Sequence, residues 1–195
     1  MLIPLALLSL SGTVATPASA YPLESVLSAA RTLCASAPDV EKAERGPLPA
    51  GWRLANPEAG SWQEDYRRGM ERVVTGFTAK ARVLGAVVQG RPLWAFVSTS
   101  KGPPLQPEAS SCEVVDREAV IEPDDERVAR WAGQPPRLGR RDVLPGLFGW
   151  SWDHGLDPAN SKAELTYVNA AAAAKAHLRP GLSYLTVTIP RHPAP

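Results

Sequence analysis

From Leu23 to Ala37 the apolar residues Leu23, Val26, Leu27, Ala30, Leu33, Cys34 and Ala37 recur in steps of three and four, the stripe of an amphipathic helix. Cys34 falls on the face this helix buries. The stretch from Pro38 to Gly60 is punctuated by Pro47, Pro49, Gly51 and Pro57, which leave room for one helical turn over Asp39 to Arg45 but no long element. Ser61-Trp62-Gln63-Glu64 has capping-box spacing and predicts a helix start. Trp62, Tyr66, Met70, Val73, Val74 and Phe77 line one side of this helix, charged residues line the other, and Gly76 is its stop.

The period then changes from three or four to two. Val83 to Gln89 and Leu93 to Thr99 are rich in β-branched and aromatic residues around Gly90-Arg91, which predicts a hairpin. A third strand, Cys112 to Asp116, follows a loop containing Pro103, Pro104 and Pro107. Pro123-Asp124-Asp125-Glu126 opens a short helix that Gly133 and Pro135-Pro136 close. Gly139 to Pro158 reads as a loop with one strand around Leu147 to Trp152. Glu164 to Val168 reads as a strand, Asn169 caps an Ala-rich helix through His177, and Tyr184 to Ile189 alternates as a closing strand. Helices that flank strands joined by short connections predict an α+β fold, an antiparallel sheet with helices packed on one face. The alternative is a small β-sandwich with peripheral helices.

The N-terminus adds a processing signal. An apolar run from Leu2 to Leu10, too short to span a bilayer, leads into small residues ending in Ala18-Ser19-Ala20, an A-x-A cleavage site. No Lys or Arg precedes the run, so the amino group of Met1 is the only positive charge of that region. Residues 1–20 are expected to be a signal peptide, residues 21–190 a single domain, and the Pro-rich residues 191–195 a frayed tail. The mature chain, periplasmic or secreted, is expected to start at Tyr21. No later stretch has the roughly twenty apolar residues of a membrane span.

With 21 basic and 20 acidic residues the formal charge is +1, which gives no field to attract nucleic acid. The preponderance of Arg over Lys, with abundant Ala and Pro, is the usage of a GC-rich bacterial genome. The chain holds two cysteines, Cys34 and Cys112. In an oxidising compartment, with no ligand-spaced His near either, they are expected to form a disulfide.

Each catalytic pattern meets an objection of context. Ser98-Thr99-Ser100-Lys101 matches the S-x-x-K tetrad of penicillin-binding proteins and serine β-lactamases, but that chemistry needs a helix N-terminus and here a strand runs into Gly102-Pro103-Pro104. Gly149-Trp150-Ser151-Trp152-Asp153 approaches the G-x-S-x-G elbow with Asp in place of the second glycine and no helix after it. The most site-like segment is the loop that gathers Trp150, Trp152, Asp153, His154 and Asp157: two stacking surfaces, one imidazole and two carboxylates. Asp153 and Asp157 with His154 could hold a divalent metal, or His154 could act as a general base; no zinc-finger, calcium-loop or nucleotide-binding spacing occurs, and no cofactor is expected. The acids from Glu113 to Glu126 and the arginines from Arg127 to Arg141 form a charge dipole along the chain, a solvated and partly paired surface or a patch for an anionic envelope component. The expectation is an exported, non-catalytic module that binds a protein or cell-envelope component. The alternative is a hydrolase of cell-envelope substrates acting through the Trp150 to Asp157 loop.

Overall fold

The computed structural model describes residues 21–72, 78–102, 108–158 and 160–189. The expected signal peptide and the Pro-rich tail lie outside the described residues, as do Val73, Val74 and Phe77 at the end of the second predicted helix. Helix α1, Leu23–Ser36, buries the stripe read from its sequence, from Leu23 to Cys34. Asp39 caps α2, Val40–Arg45, by accepting from the Lys42 N–H at 2.8 Å. A short strand β1, Arg53–Ala55, precedes α3, Trp62–Glu71. Ser61 Oγ accepts from the Glu64 N–H at 3.3 Å, the first half of a capping box. Glu64 does not reach back; its carboxylate accepts from Arg67 at 2.8 Å and Arg68 at 2.7 Å, charge-assisted bonds stronger than the neutral one it forgoes.

Strands β2, Thr78–Val88, and β3, Arg91–Lys101, form the predicted hairpin. Its turn is Gln89-Gly90, one residue earlier than the pattern placed it. Both residues have positive φ, 50° and 78°, as a two-residue turn matched to strand twist requires. Strand β4, Ala109–Asp116, leads to α4, Asp125–Ala132, capped by Asp124 and ended by Gly133 at φ 72°. The expected strand around Leu147 to Trp152 is present as the second arm of a hairpin, and the residues before it, read as loop, form the first: β5, Leu138–Leu144, with β6, Leu147–Trp152. In the sequence Gly139, Arg140, Arg141 and Asp142 break the alternation that would have marked β5 as a strand. Strand β7, Lys162–Val168, then α5, Ala170–Ala176, capped by Asn169, and β8, Gly181–Thr188, complete the chain.

Among the described residues, eight strands form one open antiparallel sheet in the order β1-β2-β3-β4-β8-β7-β6-β5, an α+β fold and not two packed sheets. The main core lies on one face, where α1 and α4, joined by Ala43 of α2, cover Leu84, Ala95, Val97, Val114, Leu165 and Tyr184. The sulfurs of Cys34 and Cys112 are bonded at 2.05 Å on this face, tying α1 to β4 across 78 positions of sequence. The opposite face is only partly covered. There α3 packs Trp62, Tyr66 and Met70 on Val83, Phe96 and Val115, while α5 packs Ala172 and Ala173 on Val168. Between these two helices an open groove runs over β4, β8 and β7, whose side chains on this face are half-buried or buried. No helix among the described residues is long and apolar enough to cross a membrane.

Candidate functional site

The residues singled out in the Trp-rich loop do not converge. Trp150 and Trp152, 2% and 3% exposed, point into the main core instead of offering stacking surfaces. The indole of Trp150 donates to Asp125 at 2.5 Å, and that of Trp152 donates to the Gln134 carbonyl at 3.4 Å and meets Trp131 edge-on. Asp153 is paired with Arg137, and Asp157 with Arg31 at 3.2 Å, where Arg31 also donates to the Leu156 carbonyl at 2.6 Å. His154 is exposed on the rim of a shallow hollow. The S-x-x-K pattern is separated by strand geometry. Ser98 and Lys101 are three apart in β3, which puts them on opposite faces, and they bond Ser111 at 2.8 Å and Glu108 at 3.1 Å. Among the described residues no three His, Cys, Asp or Glu side chains are grouped to hold a metal ion. Of the charge dipole, Arg127 pairs with Glu24 and Arg130 with Glu126.

The candidate site lies on the sheet's second face, in the open groove between α3 and α5, with a cavity volume of about 400 Å³. Strand alternation builds its floor. Glu113 and Val115 of β4 share a face and face Leu185 and Ser183 of β8 across the ladder, while Val168 of β7 and Leu147 of β6 extend the floor toward α5. One step further along this alternation lies Arg117. Gly181 runs so close to that backbone, at φ 127°, that a Cβ would stand 2.3 Å from the Asp116 carbonyl oxygen. Glycine at this point is what lets β8 start beside Arg117 and brings Arg179 next to it.

Polar groups in the groove differ sharply in how well they are satisfied. Both oxygens of Glu113 are engaged, one accepting from Tyr66 Oη at 2.5 Å and the other from Ser183 Oγ at 2.6 Å. Burial, with the Glu113 charge and this bond, pushes the Tyr66 phenol well above its usual pKa, so Tyr66 is a fixed donor. The guanidinium of Arg117 lies over the Trp62 ring, 4.7 Å from its centroid, and its Nε and Nη1 are shielded from solvent with no hydrogen-bond partner. Arg179 stands over the same ring at 5.6 Å and donates to the Trp62 carbonyl at 3.2 Å. Burial, and then the neighbouring Arg179 charge, lower the Arg117 pKa. Two guanidinium groups thus share one aromatic ring, and no acidic side chain among the described residues forms an ion pair with either.

The sequence reading missed this site. Its one legible signal was the period-two series Glu113, Val115, Arg117, which places a carboxylate, an apolar side chain and a guanidinium on one face. No protein-family model matches the chain, and searches of the curated proteins and of the solved structures find no match.

Proposed function

We propose that the protein is an exported, non-catalytic binding module, periplasmic or secreted, whose ligand from the cell envelope occupies the groove between α3 and α5. The observation that carries this reading is the pair Arg117 and Arg179, two cations held over Trp62 beside a mainly apolar floor without a carboxylate partner. A like-charged pair costs free energy in the free protein, and an arrangement that lacks only its counter-ion is suited to receive one. Export is supported by the A-x-A site before Tyr21 and by a disulfide that an oxidising compartment maintains. Tyr21 itself is anchored, its hydroxyl donating to the buried Asp116 at 2.7 Å.

The test is photo-crosslinking in the native envelope. Leu178→p-benzoylphenylalanine, at the exposed mouth of the groove, should capture a ligand that the same replacement at Val87, exposed on β2 away from it, does not. Equal capture at both positions, or none at Leu178, would defeat the reading. N-terminal sequencing of the native protein should begin at Tyr21.

A further inference from the structure

We propose that the ligand of this groove is an anionic amphiphile, with a carboxylate or phosphate head held between Arg117 and Arg179 and an apolar body laid along Val115, Val168 and Leu147. The inference rests on the groove being the ligand site and names the chemistry that fills it. The sign of the head follows from the two guanidinium groups. Glu113 forms no ion pair with either guanidinium; its two oxygens accept instead from Tyr66 and Ser183. A cationic ligand would add a third positive charge, and a neutral one would leave the first two unrelieved. An oxyanion can accept from the exposed Arg179 fork and from Nη2 of Arg117, the nitrogen of that group that is not shielded, as arginine binds carboxylate and phosphate.

The apolar body follows from the floor. Val168 of β7 and Leu147 of β6 continue the row that Arg117 and Gly181 begin, and Val115 of β4 lies one row over, across from Ser183 of β8. A strip that starts at a cationic end and continues apolar matches a molecule polar at one end only. The volume, about 400 Å³, is near the small end of the range for ligand pockets and suits one short chain. A sugar would need a free aromatic face, and two guanidinium groups already stand over the ring of Trp62.

Calorimetric titration of the disulfide-bonded protein with dodecanoate, decanoate, dodecyl phosphate, dodecanol and dodecyltrimethylammonium, each below its micelle threshold, tests this. Dodecanoate or dodecyl phosphate should bind at least tenfold more tightly than the alcohol and the cation, and the tighter of the two identifies the head. Shortening the chain should weaken binding by about fourfold for each methylene lost from the strip. Arg117→Met and Arg179→Gln should each weaken the anion at least tenfold and leave the alcohol unchanged. Arg179 is exposed, so its variant reads the site even if the other folds poorly. Equal affinity for the cationic amphiphile, no chain-length dependence, or anion binding undisturbed in Arg179→Gln would overturn the inference. Capture at Leu178 without amphiphile binding would overturn this inference alone, and failure of both would overturn the groove reading as well.

Discussion

The guanidinium carbon of Arg117 lies 4.7 Å from the centroid of the Trp62 ring, while its Nε and Nη1 bond to nothing. Two opposing effects meet in this contact. The cation–π attraction contributes roughly 0.5–2 kcal/mol. Leaving donors of a charged group desolvated and unpaired costs about 1–3 kcal/mol or more, and Arg179 adds repulsion. The cost wins. Arg117→Met keeps a long side chain against Trp62 and removes the unpaired charge, so chemical denaturation should show stability raised by about 1 kcal/mol in the same variant that loses anion binding. A fall of 2 kcal/mol or more would make Arg117 a structural residue and remove the main support for the site.

The bond between Cys34 and Cys112 closes a loop across 78 positions between two fully buried residues. Restricting the unfolded chain over that span contributes roughly 4–5 kcal/mol in the loop-entropy model, comparable with the whole stability of an ordinary domain. Urea unfolding of the Cys34→Ala, Cys112→Ala protein should therefore show a loss of several kcal/mol, or no cooperative transition. Non-reducing peptide mapping of the native protein should recover the two cysteines in one cross-linked pair.

These two sites were unequally legible in the sequence, for physical reasons. The disulfide needed no geometry, since two cysteines allow one pairing, and the helix caps at Asp39, Ser61, Asp124 and Asn169 are local hydrogen bonds written within four residues. The groove depends on strand order. Nothing near Arg117 states that β8 lies beside β4, or that Arg179, 62 positions later, returns to the ring of Trp62. The Trp-rich segment poses a different problem. Alternation correctly put Trp150 and Trp152 on one face of β6, but period two does not say which face is inward, and Gly149 and Ser151 on the other face left the indoles free to be the core.

The inward placement of Trp152 separates it from His154, two positions on in that segment. Trp152→Ala should cost about 3–5 kcal/mol, the range for truncating a buried large aromatic, because its ring packs on Trp131 and its N–H bonds Gln134. His154→Ala, at an exposed position, should change stability by no more than about 0.5 kcal/mol. Thermal unfolding of the two variants checks both values. A stable Trp152→Ala protein would return the loop to candidacy as a binding surface.

The alkaline side of the stability profile follows from the tyrosines. The chain has four, and burial is the first cause raising the pKa of each: Tyr21 beside Asp116, Tyr66 beside Glu113, Tyr167, and Tyr184 in the main core. In the unfolded chain a tyrosine ionises near pH 10. Above that pH the unfolded state has released protons that the folded state still holds, so stability is full below about pH 10 and falls as the pH rises further. No tyrosine is left to titrate normally in the folded protein. Tyrosinate absorbance should therefore stay low through pH 10 and then rise together with the loss of the circular dichroism signal, as one unfolding event. A tyrosine that ionises near pH 10 while the protein remains folded would show that one of these hydroxyls is open to water. Repeating the titration with Tyr66→Phe would identify whether it is the hydroxyl in the groove.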